Sequence, residues 1–119
     1  MHNFKELKVW QESMKLAKAI FMATKQFPAE EKYGMVSQLQ RAIVSIPSNI
    51  AEGTSRTSAK EFNHFLEIAL GSAFELETQL LLSLDFEYIS LQQSELLIPT
   101  ANIIQKMLFG LKNKVNQSQ

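Results

Sequence analysis

The sequence predicts an all-α protein, an antiparallel up-down four-helix bundle. Three observations carry this. Apolar residues recur at helical spacing in four separate segments. Glycine and proline are scarce, 4 and 3 in 119 residues, which argues against a many-turned β fold. The stretches between the periodic segments are short, and short connections make consecutive helices antiparallel neighbours. Residues 1–119 read as a single four-helix bundle domain, long enough to bury one core. No internal repeat, low-complexity tract or dividing linker interrupts it.

The first helix is expected at about residues 4–26. Leu7, Trp10, Met14, Ala17, Phe21 and Thr24 follow a helical stripe, widened by Val9, Leu16 and Ile20. Trp10 and Phe21 are therefore assigned to the core. Lys8, Lys15, Lys18 and Lys25, with Lys5, fall on the opposite face at about 100° per residue. Asn3 and Glu6 have the spacing of a capping box. "FPAEEKYG" (27–34) reads as a connection with a short helical turn.

The second helix is expected at about 35–55, with Met35, Leu39, Ala42, Ile46, Ile50 and Gly53 as its apolar stripe. Its polar residues also keep helical spacing: Gln38, Arg41, Ser45, Ser48 and Glu52, with Asn49 beside them. That period favours one helix continuing through Pro47 and kinked there, because proline cannot donate to the carbonyl of Ile43. The rival is a break in which Ser45 caps a second helix with Pro47 in its first turn.

"SAKE" (58–61) is a Ser-x-x-Glu capping box that opens the third helix, expected at 58–85. Phe62, Leu66, Ala69, Ala73, Leu76 and Leu80 form its stripe. Leu70, Phe74, Leu81 and further apolar residues lie largely outside it, more than one core needs. Gly71 in mid-helix costs about 1 kcal/mol relative to Ala and suggests close approach by the second helix. Arg41 could then reach Glu75 or Glu77, while Asn49 and Glu52 bond across. Arg41, Ser45, Asn49, Glu52, Glu75, Glu77 and Gln79 make up this expected polar seam. After "EYIS" (87–90), Ser90 and Gln93 cap a fourth helix at about 91–116. Leu97, Ala101, Ile104, Leu108, Leu111 and Val115 line it, Pro99 is expected to kink it near its start, and "NQSQ" (116–119) to fray.

Hydrophobic residues make up 45% and charged residues 20%, as in ordinary soluble proteins. With no cysteine, disulfides, thiolate nucleophiles and Cys-based zinc sites are excluded. Residues 1–27 read as neither signal peptide nor membrane span, so a cytoplasmic protein without a membrane partner is expected. Formal net charge is zero but unevenly spread. Residues 1–27 carry five Lys against two Glu, whereas residues 58–90 carry one Lys against six acids.

Chemistry is sparse. Glu61 and His64 form a Glu-x-x-His pair, but di-iron bundles need two such motifs plus carboxylates from two other helices, and the other histidine is His2. Ser45, Ser48 and Ser72 lack a Gly-x-Ser-x-Gly context, and the glycines form no phosphate-binding loop. No catalytic residue, metal ligand or cofactor is assigned, and the chain is expected not to be an enzyme.

"FKELKVWQESMKLA", "FPAEEKYGMVSQLQRAIVSIPSNIAEGTSR", "EFNHFLEIALGSAFELETQLLLS" and "EYIS" together resemble the four-helix bundle proteins encoded in 23S rRNA intervening sequences. The resemblance spans nearly the whole chain and keeps the spacing between motifs. It implies a bundle with a continuous, kinked second helix. Such proteins are similar to the accessory protein of diversity-generating retroelements, a basic pentameric ring that binds nucleic acid and a reverse transcriptase. The resemblance thus implies a homo-oligomer, a pentamer, acting as a nucleic-acid-associated accessory or scaffold protein that binds RNA or DNA. Neutral overall charge and the apolar excess favour the alternative, a protein–protein interaction module with no nucleic-acid role. If nucleic acid is bound, Lys8, Lys15, Lys18 and Lys25 are the expected contacts. No aromatic residue is interleaved with them in this reading, so phosphate contact without base stacking is expected.

Overall fold

The computed structural model describes residues 3–117, so His2 and the end of the "NQSQ" stretch lie outside the described residues. A 3-10 turn, Phe4–Glu6, precedes four helices: α1 Lys8–Thr24, α2 Met35–Thr54, α3 Ala59–Asp85 and α4 Leu91–Gln117. The described residues contain no strand. Contacts run around the bundle, α1 to α2 to α3 to α4 and back to α1, and skip the diagonals. The bundle is elongated, 47 × 24 × 20 Å, as 27-residue helices about 40 Å long require.

Helix α1 starts later than its apolar period suggests. Leu7 is extended (φ −72°, ψ 125°) and separates it from the 3-10 turn. Asn3 Oδ1 accepts from Lys5 N–H at 3.1 Å, so the first turn is capped by Asn3 alone and not by an Asn3–Glu6 box. Of the other two caps, Ser90–Gln93 forms both bonds of a capping box, and Ser58 caps α3 with its hydroxyl while the Glu61 carboxylate accepts from that hydroxyl. Ser58 Oγ accepts from Glu61 N–H at 3.1 Å. Ser90 Oγ accepts from Gln93 N–H at 3.0 Å, while Gln93 Oε1 accepts from Ser90 N–H at 2.8 Å. At the end of α3, Tyr88 N–H reaches the Ser83 carbonyl (2.8 Å) and Glu87 N–H that of Leu84 (3.0 Å). This is a Schellman closure with Glu87 (φ 63°) in the place glycine usually takes.

The α2, α3 and α4 stripes face the core largely as their spacing requires. Leu39, Ala42, Ile46 and Ile50 are buried, as are the six stripe residues of α3 and Leu97, Ala101, Ile104, Leu108 and Val115 of α4. Helix α2 is continuous through Pro47, and α4 is continuous through Pro99.

Helix α1 is rotated from its expected stripe. The residues it buries are Val9, Ser13, Leu16, Ile20 and Thr24. Met14 is 45% exposed and Phe21 40%, while Trp10 is only partly buried, edge-on to Phe4 at 5.3 Å. The rotation is cheap because the two polar members of the buried stripe satisfy themselves. Ser13 Oγ donates to the Val9 carbonyl (2.7 Å) and Thr24 Oγ1 to that of Phe21 (3.1 Å), bonds that remove the cost of burying a hydroxyl.

The glycines also differ from expectation. Gly71 is exposed, and a Cβ there would meet nothing within 4 Å, so α2 does not crowd it. Close approach occurs instead at Gly53, where a Cβ would stand 2.8 Å from Phe62 Cδ1 and 3.1 Å from Phe65 Cβ.

Candidate nucleic-acid interface

Lys8, Lys15, Lys18 and Lys25 are all exposed along α1. Lys15 Nζ lies 3.3 Å from Glu12 Oε2, an exposed pair of little energetic weight. The rotation of α1 changes what stands among these cations. Phe21, three residues after Lys18 and four before Lys25, points partly into solvent, so an aromatic ring is interleaved with the lysines after all.

The connection after α1 adds more. Phe27 packs under Tyr88 (ring centroids 5.3 Å) and a 3-10 turn at Ala29–Glu31 follows. Glu31 then fixes the entry to α2: its Oε1 accepts from Met35 N–H at 2.9 Å and its Oε2 from the Tyr88 hydroxyl at 2.8 Å. Gly34 leaves room for that carboxylate, since a Cβ there would stand 2.7 Å from Glu31 Oε1. The amide of Met35 and then the hydroxyl of Tyr88 hold the Glu31 carboxyl below its ordinary range. The same bond first, then burial and the charges of Glu31 and Glu30, push the Tyr88 phenol up. With Glu31 turned inward, Lys32 and Tyr33 face outward. Tyr33 is 87% exposed, and Lys32 Nζ lies 5.4 Å from its ring centroid.

Two clefts between α1 and α2 result. One, of about 480 Å³, is bounded by Phe21, Lys25, Lys32, Tyr33 and the polar side chains of Thr24, Ser37 and Gln40. The other, about 410 Å³, shares Phe21, Ser37 and Gln40 and continues to Arg41, Val44 and Ser45. Gln40 Nε2 donates to Thr24 Oγ1 at 3.3 Å, linking the two helices there. No carboxylate lines either cleft. Sequence reading missed Phe21, Lys32 and Tyr33: the first was assigned to the core, and the other two sit in a connection whose path only tertiary packing decides. The clue available was the second possible stripe of α1, with Val9, Ser13, Leu16 and Ile20 at core spacing and Thr24 common to both.

The expected polar seam is only partly assembled, and it is neutral. Ser45 Oγ and Ser72 Oγ are 2.8 Å apart across α2 and α3, and Gln79 Nε2 donates to Gln38 Oε1 at 3.5 Å. Asn49 bonds back within α2, to the Ser45 carbonyl (2.8 Å) and Oγ (3.0 Å). Glu52 pairs with Arg56 (2.8 Å) beyond the helix end, and Glu77 accepts from Gln105 of α4 (2.8 Å). Arg41 and Glu75 are exposed, and no pairing of Arg41 with Glu75 or Glu77 occurs among the described residues. Large charged side chains swing out to water, and the small hydroxyls of Ser45 and Ser72 occupy the place where the helices come close.

Glu61 is used by the Ser58 cap: Ser58 Oγ donates to its Oε1 at 3.1 Å. His64 lies edge-on to Phe65. Arg56 stacks over Phe65, 4.7 Å from its centroid. With Lys60 they line a cleft that sets two cations against the single carboxylate of Glu61. Among the described residues no group of three or more His, Asp or Glu is arranged to hold a metal ion. On the α3/α4 side, Phe74 (47% exposed) and Phe109 (48%) meet edge-on at 6.5 Å, with Leu81 also exposed, whereas Leu70 is buried. Gly71, three residues before Phe74, and Gly110, next after Phe109, both face open space.

The profile of the family described as 23S rRNA-intervening sequence protein matches residues 5–110. A crystal structure of a protein of unknown function from the S23 ribosomal protein family of Bacteroides thetaiotaomicron superposes with a TM-score of 0.81. It is 32% identical, over 87% of this chain and 97% of that one. No curated protein matches the sequence. Among the described residues no helix is long and apolar enough to cross a membrane.

Proposed function

We propose a nucleic-acid-associated accessory or scaffold role for this chain, which belongs to the 23S rRNA-intervening sequence protein family. In this reading the bundle self-assembles, works in the cytoplasm and carries no catalytic chemistry of its own. The observation that carries it is the segregation of charge on the folded molecule. Lys8, Lys15, Lys18 and Lys25 stand exposed along α1, while Glu67, Glu75 and Asp85 stand exposed on α3. A net charge of zero gives no overall attraction to polyphosphates, so binding depends on this local basic face. Exposed lysines neutralise phosphates without reading sequence, so affinity should fall steeply with salt. In an assembly, copies of the same weak face add by avidity.

The test is fluorescence anisotropy with structured RNA, single-stranded RNA and DNA, and duplex DNA at several salt concentrations. Replacing Lys8, Lys15, Lys18 and Lys25 together by Gln should lower affinity at least tenfold at low salt and flatten the salt dependence. Absence of binding to every probe at low salt would refute the reading. The second reading, a protein-interaction module, is favoured by the exposed Phe74, Leu81 and Phe109 and would then be preferred.

A further inference from the structure

We propose that the paired clefts between α1 and α2 bind a short single-stranded stretch of nucleic acid, with a base stacked on Tyr33 and phosphates held by Lys25 and Lys32. This rests on the nucleic-acid reading above, but adds a site and a mode of contact that lysines on a helix face do not supply.

Three features of the clefts point to this occupant. Their lining includes the cations Lys25, Lys32 and Arg41 and no carboxylate, so the charge lining the clefts is all positive on a protein of zero net charge. Tyr33 is 87% exposed, a solvated aromatic ring without a packing role of that size in the core. Its neighbour Lys32 already lies 5.4 Å from the ring centroid, within the range of a cation–π contact. A base stacked on the ring would therefore set its own phosphate close to an ammonium group. Phe21 supplies a second, half-exposed ring in the shared part of the clefts, and Ser37 and Gln40 supply hydrogen-bonding groups there. Aromatic platforms beside a positively charged groove are how single strands are held without sequence preference. Duplexes keep their bases stacked inside and cannot use Tyr33.

The occupant is thus a single strand rather than an acidic peptide or a duplex. An acidic peptide would satisfy the lysines but make no use of an exposed ring. The cleft runs beside α2 from Ser37 to Ser45, about 12 Å of helix, which suits a few nucleotides.

The experiment uses the full chain with fluorescently labelled 12-nucleotide oligo-U and oligo-A RNA, oligo-dT, a 12-base-pair duplex and a poly-Glu peptide. Wild type should bind the single strands more tightly than the duplex. Tyr33→Ala should weaken single-strand binding about tenfold and leave duplex binding unchanged. Lys32→Gln should weaken it and lower the salt slope by about 0.7, as expected for one lost phosphate contact on a single strand. Circular dichroism serves as the folding control, and both residues are exposed. If wild type binds single strand and duplex alike and Tyr33→Ala changes nothing, the cleft proposal falls while the nucleic-acid reading stands. Binding of the peptide in preference to RNA overturns the cleft proposal too. If wild type binds no nucleic acid at all, both fall. Comparison of oligo-U with oligo-dT separates RNA from DNA as the source of the strand.

Discussion

Gly53 and Gly71 are both helical glycines, yet they answer to different constraints. Gly53 is buried where α2 meets the first turn of α3, and a methyl group there would press on Phe62 and Phe65. Gly71 faces open space within its own chain. The expected outcomes are therefore opposite. Gly53→Ala should lose about 1–3 kcal/mol, the usual cost of overpacking. Gly71→Ala should gain about 0.5–1 kcal/mol from helix propensity. Urea denaturation in a monomeric background checks both, and a loss of stability in Gly71→Ala would mean that the open space is filled. Sequence alone could not separate the two: the propensity cost of a mid-helix glycine pointed to close approach at Gly71, whereas Gly53 reads as one more member of the α2 apolar stripe near a helix end. Periodicity places a residue on a face, but does not say how near the neighbouring helix comes.

At the scale of elements, three of the four helices were legible because their spaced apolar residues define one face, although α3 also buries Asn63, Gln79 and Ser83 and α4 Ser94 and Gln105. Ile43, Ile46 and Ile50 in α2, or Leu76 and Leu80 in α3, leave little choice of face. Helix α1 offered two stripes that share Thr24, and the fold took the one with Val9, Ser13, Leu16 and Ile20; hydropathy ranks Ser13 low, but self-bonding hydroxyls make Ser13 and Thr24 free to bury. That one choice hid Phe21 from the functional reading. The continuity of α2 through Pro47 was legible from the polar row, whereas the partners of that row were not: length and charge took Arg41 and Glu75 to the surface.

The link between the α1–α2 and α3–α4 connections is also an element-scale device. Glu31 accepts from Met35 and Tyr88 as a carboxylate, and its carboxyl group is held below its ordinary value of 4.5. Its contribution to stability is thus complete above that value and disappears as pH falls through the lower folded-state value. The Tyr88 phenol, held above its ordinary value of 10.0, contributes fully below that value and loses its contribution as pH rises through the folded-state value. Between about pH 5 and pH 10 the link is intact. Glu31→Gln should melt below wild type at pH 7, and the two melting curves should converge in acid as the Glu31 carboxylate takes up its proton. Parallel curves across the whole range would show that the carboxylate contributes nothing.

On the whole molecule, the exposed lysines run along α1, while an exposed pair of phenylalanine rings marks the α3/α4 face. Phe74, Leu81 and Phe109 are too exposed to serve the core, and the neighbouring Gly71 and Gly110 would let another backbone come near. Self-association through the α3/α4 face is expected. Light scattering at micromolar concentration should give a multiple of the 13.5 kDa chain mass, five-fold for a pentamer. Phe74→Glu with Phe109→Glu should give the single-chain mass without loss of helicity. A wild-type protein that is already monomeric would refute the association.

The Ser45–Ser72 contact has a further consequence. The seam where α2 and α3 lie together is held by hydroxyls and amides, and the ion pairs at Glu12–Lys15, Glu52–Arg56 and Glu67–Lys112 sit at the periphery with at least one partner in water. Added electrolyte can screen those peripheral pairs, but finds no charge to screen at the seam between α2 and α3. The fold should therefore behave as an inert frame in an ionic-strength titration. A change in complex formation with salt then measures the ions displaced from the polynucleotide, uncontaminated by unfolding of the frame.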